Sequence, residues 1–304
     1  MSELYKELID GQALVSSQLI KTISPPTGGI TIVIKNMRII QTIDGYGWVH
    51  PNRRKQYIKL FENLLKCKTV KDSIININLG DHPVDGYFNF CRVTNNTSQF
   101  ILPNHRFTLD DIIKNTETYD DVVKHLRTKC EKKIPKFYMS CIVNSSRIEY
   151  FKFALQNKHI AAGYVYGGSV HRYSNAPPQL VAELKNNKLA GESHVPFEEH
   201  NKYKYVIYND GNTLSDKMRL LLCTDSIIVR KESNYEEFYS YLLKPGVNYI
   251  NYKNEKELTG IHNNLENNPD LCSNIRNNNQ EFVDKFLKYD VILDYVSELI
   301  NMLF

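Results

Sequence analysis

Hydrophobic and polar positions follow two rhythms along the chain, and together they predict an alternation of helices and strands. Leu4, Leu8, Val15, Leu19 and Ile23 recur at helical intervals, which predicts an amphipathic helix over residues 3–23. Ser24-Pro25-Pro26-Thr27-Gly28-Gly29 interrupts it, and a Gly-Gly pair before a strand reads as a turn rather than a phosphate cradle. Residues 30–34 and 37–42 are β-branched runs about Lys35-Asn36, a predicted hairpin. Gly45-Tyr46-Gly47-Trp48 turns into a basic helix over 53–66, whose charges read most simply as a solvated face. Residues 72–79, DSIININL, alternate apolar and polar side chains as a strand does and deliver Gly80-Asp81-His82-Pro83 at the strand's carboxyl end. A further strand is predicted over 88–93, then a polar loop over 94–98 and a helix over 109–130.

The second half carries the denser pattern. Residues 136–143, KFYMSCIV, form a buried-strand run after a linker-like Lys132-Lys133-Ile134-Pro135, and Asn144-Ser145-Ser146-Arg147 leads into a helix. Residues 202–252 then read as strand, polar loop, helix, strand, helix, strand. In that stretch 203–208 is aromatic and β-branched, and Asn209, Asp210, Gly211 and Asn212 supply turn chemistry. Ser215 suits the N-cap of a helix through Cys223, while Asn234 and Glu237 have the spacing of a capping box. An Asn-rich stretch over 255–279 has helical character, and a terminal helix is predicted over 281–304.

A polar loop between a strand and a helix start is where α/β folds bind anions, because free backbone N–H groups and the positive dipole end face the ligand. Lys217 and Arg219 sit in the first turns, where cations oppose the dipole and a bound anion would offset the cost. The competing reading is an ordinary βαβ connection with solvated basic side chains.

Composition narrows the class. The chain has 304 residues, 42% hydrophobic and 24% charged, which is globular and long enough for two α/β domains. A net charge of only +4 gives little support to a nucleic-acid-binding module built on Lys and Tyr clusters. Six cysteines lack any C-x-x-C pair, which argues against a zinc site and for reduced, buried thiols. Adjacent carboxylates at Asp110-Asp111 and Asp120-Asp121 diverge on a helix and read as solvated faces. No apolar run of membrane-spanning length occurs, and MSELYKELIDGQ lacks the core of a signal peptide, so the expectation is a soluble, cytoplasmic protein without integral membrane contact.

The order and spacing of Lys202-Tyr203-Lys204-Tyr205, Gly211, Ser215-Asp216-Lys217, Glu237-Phe238-Tyr239 and Leu243-Lys244-Pro245-Gly246-Val247-Asn248-Tyr249-Ile250 resemble the CAP10-like, or protein O-glucosyltransferase, family (glycosyltransferase family 90). Other segments echo it more weakly. NINLGDHP is similar to the family's "NxRDxP", whose Asp is the catalytic base and falls on Asp81, with Gly80 where the family has a basic residue. Residues 139–147 are similar to "RGSxTSxxR" and keep Arg147, but Met139 replaces the first cation. Asp290-Val291 and Tyr295 echo the tail.

The resemblance implies an α/β, GT-B-like fold in which two Rossmann-like domains face across a cleft and a C-terminal helix crosses back to the first. The expected domains are 1–133 with the crossing helix 281–304, on the acceptor side, and 134–280, which binds the nucleotide-sugar. It further implies an inverting, metal-independent glycosyltransferase with no cofactor, a UDP-linked donor and a protein or glycan acceptor. The absence of any D-x-D pair agrees with that. The implied donor-binding residues are Arg147, Gly211, Thr213, Ser215, Lys217, Arg219, Glu237 and Tyr239; those on the acceptor side are His82, Pro103 and His105. Because Gly80 and Met139 depart from the pattern, a sugar-nucleotide-binding pseudoenzyme stands as the alternative.

Overall fold

The computed structural model describes residues 19–94, 96, 98–103, 119–127, 132–166, 176–191 and 195–304. Strands β1 (Ile30–Lys35) and β2 (Arg38–Asp44) form the predicted hairpin, with Asn36 and Met37 both at positive φ as a tight two-residue hairpin turn requires. Helix α1 (Pro51–Cys67) follows, and buries Tyr57, Leu60, Phe61 and Leu64, a stripe at helical spacing. Strands β3 (Ser73–Ile77), β4 (Phe88–Asn89), β5 (Arg92–Val93) and β6 (Phe100–Ile101) come next, then helix α2 (Tyr119–Leu126). The first sheet has the order β2-β1-β3-β4-β6, antiparallel on the hairpin side and parallel from β3 onward.

The second unit begins with β7 (Ile134–Cys141), α3 (Ile148–Gln156), β8 (Ala161–Tyr166), α4 (Pro178–Asn186) and β9 (Ala190–Gly191). It continues through β10 (Tyr203–Tyr208), a short α5 (Met218–Leu221), β11 (Ile227–Lys231), β12 (Tyr235–Glu236) and β13 (Ile250–Tyr252). Its six-stranded sheet, β13-β11-β10-β7-β8-β9, is parallel throughout. Parallel sheets are covered on both faces, and the central strands show it. Along β10, Tyr205 and Ile207 enter one core while Val206 and Tyr208 enter the other, the period-two alternation of a pleated strand.

Helices α6 (Leu258–Asn267), α7 (Pro269–Phe286) and α8 (Tyr289–Leu303) close the chain. The last crosses back onto the first unit. Tyr295 donates to the Ile101 carbonyl at 2.9 Å, Ser297 and Asn301 donate to the Thr69 carbonyl at 3.0 and 2.9 Å, and Lys68 pairs with Asp294. Tyr295→Phe deletes the donor to a buried carbonyl and is expected to cost about 1 kcal/mol in urea unfolding. The two units are also joined beside the cleft, where β5 pairs antiparallel with β12 and Arg92 forms an ion pair with Glu236.

Several predicted elements differ. The helix expected from Ser215 to Cys223 is only the four-residue α5, because the chain tightens into three-residue turns and the Thr224 hydroxyl takes the Leu221 carbonyl. The helix expected after Asn234 is absent: Tyr235 and Glu236 pair as a strand, and the Ser240 hydroxyl accepts from the Glu237 N–H at 2.8 Å, ordering a short 3-10 turn at Ser240–Leu242. The terminal helix is two helices, broken at Leu287-Lys288 between α7 and α8. Ile134 and Pro135 begin β7 rather than belonging to a linker. Cys91, Cys141, Cys223 and Cys272 are buried free thiols, but Cys67 is exposed. Most of the predicted first helix, His105, Arg106, the greater part of 109–130 (Cys130 included) and Gly167-Gly168-Ser169 lie outside the described residues.

Candidate active site

Two buried asparagines fold the loop that carries Asp81. Asn78 donates to the His82 carbonyl at 2.6 Å and to the Asn89 side chain at 2.9 Å, and it accepts from the Gly80 N–H at 2.9 Å. Asn89 in turn takes the Val84 N–H and donates to the Val84 and Tyr87 carbonyls. Each amide satisfies backbone groups that a sharp turn would otherwise leave unpaired. Asp81 is thereby set at the carboxyl end of the sheet with its carboxylate facing the second unit.

Both carboxylate oxygens are engaged. Arg53, from the first turn of α1, donates to Oδ1 at 2.7 Å and to the Leu79 carbonyl at 2.7 Å. Asn212 reaches from the opposite wall to Oδ2 at 3.2 Å, and the Thr213 hydroxyl donates to the Asp81 carbonyl at 2.8 Å. Burial pushes this carboxyl up, but the Arg53 guanidinium, the Asn212 amide and His82 together outweigh it and hold Asp81 below the usual carboxylate range. Asp81 is therefore ionised near neutrality.

The far wall is built from the ends of β7 and β10. Arg147 donates to the carbonyls of Ile142 and Asn209, at 3.0 and 3.4 Å, neither of which neutralises its charge. Ser146 ties its own loop to the next by donating to the Asp210 carbonyl at 2.7 Å. Gly211 lies beside this cation, where an added Cβ would be 3.4 Å from the Arg147 guanidinium. Arg53, Asp81, Phe90, Arg147, Asn212 and Thr213 are among the walls of an open cleft of about 170 Å³. Ser215 also borders it.

The remaining predicted residues lie elsewhere. Lys217 caps α5 and donates to the Ser140 carbonyl, with its ammonium 5.8 Å from the centre of the Tyr166 ring. It borders a second, water-sized space of about 10 Å³ shared with Arg147 and Ser215, not the cleft that holds Asp81. Arg219, Glu237 and Tyr239 are buried beneath the surface, with Tyr239 donating to Glu237 Oε2. Burial raises the Glu237 carboxyl to about 7, against the pull of Tyr239 and Arg219. On the acceptor side His82 is exposed next to Asp81, while Pro103 is buried with its carbonyl accepting from Tyr57 at 3.2 Å. His105 is outside the described residues.

Sequence reasoning missed Arg53 and Asn212. Arg53 is one of several cations on α1 taken for a solvated face, and nothing in the helical pattern separates it from Arg54, which pairs instead with Asp44 at 2.6 Å. Asn212 reads as turn chemistry alone. The one available signal is that Arg53 opens the predicted basic helix and Asn212 stands in the polar loop after the 203–208 strand.

A model of Glycosyl transferase family 90 matches residues 63–303. The chain belongs to this family. Among curated relatives it is 26% identical over 192 residues to Protein O-glucosyltransferase 2 of Danio rerio, covering 59% of this chain and 36% of that protein. It is 29% identical over 115 residues to O-glucosyltransferase rumi of Drosophila pseudoobscura pseudoobscura, covering 37% of this chain and 28% of that protein. The chain spans about a third of the length of these relatives. Among solved structures, a mutant of S. aureus TarM in complex with Fondaparinux, alpha-GlcNAc-glycerol and UDP is similar at 14% identity, covering 71% of this chain and 50% of that one, with a TM-score of 0.44. The C-terminal domain of a Glycosyl Transferase Group 1 Family Protein (LpcC) from Francisella tularensis is similar at 9% identity, covering 57% of this chain and 94% of that one, with a TM-score of 0.39. No helix among the described residues is long and apolar enough to cross a membrane, and no three His, Cys, Asp or Glu side chains among them cluster as a metal site would need.

Proposed function

We propose that this family-90 chain transfers a sugar from a nucleotide-sugar, UDP-linked, to a hydroxyl of a protein or glycan acceptor, with inversion and without a required metal. One observation carries the reading. An ionised carboxylate, Asp81, faces a cation, Arg147, across a cleft whose two walls come from different units of the molecule. In that geometry Asp81 accepts the proton of the acceptor hydroxyl as its oxygen attacks the anomeric carbon. The bond from that carbon to the diphosphate breaks, and its electron pair leaves with the nucleoside diphosphate. Arg147 meets the developing negative charge, and the loop over 211–216 approaches it with backbone donors. Lys217 borders the adjoining space with Arg147 and supports the same wall.

Arg147→Ala removes one charge-assisted contact worth about 1.5–3 kcal/mol. The affinity for UDP, measured by calorimetry, is expected to fall about 10- to 150-fold. Unchanged affinity would remove Arg147 from the donor site. A sugar-nucleotide-binding protein without transfer activity is the second reading. It is favoured by the engagement of both Asp81 oxygens, Oδ1 by Arg53 and Oδ2 by Asn212. A radiolabelled-donor assay separates the two, since only an enzyme consumes the donor.

A further inference from the structure

The carboxylate of Asp81 is held asymmetrically. On Oδ1 the contact is charged and short, at 2.7 Å, and comes from a guanidinium that is anchored independently. Arg53 spends a second donor on the Leu79 carbonyl, two residues upstream of Asp81, and lies 5.5 Å over the Phe90 ring. Its side chain is 19% exposed against 40% for Asp81, so the cation is the more fixed of the pair. On Oδ2 the contact is neutral and longer, at 3.2 Å, and comes from an exposed side chain of the opposite wall. The residue before Asp81 is Gly80, which carries no side chain to do what Arg53 does, and helix α1 supplies the cation from 28 positions away along the chain.

We propose that Arg53 is the positioning residue of the active site, pinning Oδ1 of Asp81 so that Oδ2, once released by Asn212, is the oxygen that receives the acceptor's proton. The inference rests on the reading of Asp81 as the base. The acceptor hydroxyl enters where the Asn212 amide now sits, because a neutral bond to an exposed side chain is displaced more easily than a forked ionic one. Its proton passes to Oδ2, its oxygen bonds to the anomeric carbon, and the diphosphate leaves with the electron pair of the broken bond. Arg53 keeps the lone pair of Oδ2 directed into the cleft throughout and does not itself touch the substrate.

The fork geometry makes the substitutions informative. Arg53→Lys would keep the charge, but an ammonium could not reach the Leu79 carbonyl and Oδ1 together as a planar guanidinium does. The charged and titratable groups beside Asp81 are Arg53 from α1, His82 from its own loop, and Arg147 and Asp216 from the far wall, so deleting Arg53 leaves the other three in place. Two measurements on the full chain test the proposal. In transfer assays Arg53→Met is expected to lower kcat about 10²-fold, the effect of a misplaced catalytic group. The donor KM stays near the native value, Arg53→Lys falls between, and added guanidinium salt restores part of the Arg53→Met rate. In carbon-13 NMR of aspartate-labelled protein, with the signal assigned by its absence in Asp81→Asn, the Asp81 titration midpoint is expected to rise in Arg53→Met as the guanidinium that favours the carboxylate is lost.

The midpoint reports the contact with Asp81, whereas a merely structural arginine would give no rescue of kcat by guanidinium. Native kcat in Arg53→Met overturns the proposal while leaving Asp81 as the base. Native transfer by Asp81→Asn overturns the base instead, and the NMR midpoint still decides whether Arg53 holds the carboxylate. If Arg53→Met fails to fold, the Arg53→Lys midpoint and rate carry the same decision.

Discussion

Asp81→Asn is expected to reduce sugar transfer by about 10²–10⁴-fold, the usual loss when a positioned general base is removed. Asparagine keeps the size of the side chain and one acceptor oxygen. Its Oδ1 can still take the Arg53 donor, while the backbone carbonyl that accepts from Thr213 is untouched. What disappears is the negative charge and the basic lone pair. Nucleotide affinity should therefore stay near native in calorimetry, because Arg147 and the loop over 211–216 lie on the other wall. The pH profile supplies a second check. Asp81 is held below the usual carboxylate range, so native transfer should persist into mild acid before the base is protonated. A variant that transfers sugar at the native rate would exclude Asp81 as the base.

Glu237→Gln is expected to change how stability depends on pH. The Glu237 carboxyl is buried, with Oε1 unpartnered and Oε2 accepting from Tyr239. Burial raises it from 4.5 to about 7. A raised carboxyl favours the folded state while protonated. That contribution is fully present below the unfolded value of 4.5 and is lost as pH rises through the folded value near 7. The difference corresponds to about 3 kcal/mol, as an order of magnitude. Glutamine has no charge to desolvate, so the variant should gain on the native protein by up to about this amount between pH 5 and pH 8. Urea unfolding at the two pH values measures it. Parallel pH dependence in both proteins would show that Arg219 and the surrounding groups keep Glu237 ionised throughout. If nucleotide affinity also falls in this variant, the buried carboxyl reaches the donor by a rearrangement of the loop above it.

The candidate site was partly legible before folding because some of its chemistry is local. The strand 73–77 lies within the alternating DSIININL of residues 72–79, and Asp81 follows within one loop. The β7 and β10 ends deliver Arg147 and Gly211 in the same way, since the carboxyl ends of parallel strands share one edge of a sheet. Helix boundaries were read less well. Ser215 and Asn234 are good caps by residue type, yet residues 218–221 make only one turn and 235–236 pair with 92–93 instead. Local propensity competes there with a strand partner more than 140 positions away and loses.

From its residues alone the chain determined its class of fold, the family it belongs to, and the loops that carry Asp81, Arg147 and Gly211, because periodicity, turn chemistry and motif spacing are properties of neighbours in sequence. Tertiary structure alone decided that Arg53 and Asn212 grip the two oxygens of Asp81, and that Arg219, Glu237 and Tyr239 sink below the surface while Lys217 turns toward Ser140. Those outcomes depend on which of many similar side chains two packed units bring within hydrogen-bond distance. A helical pattern cannot distinguish a cation aimed at a carboxylate from one aimed at water.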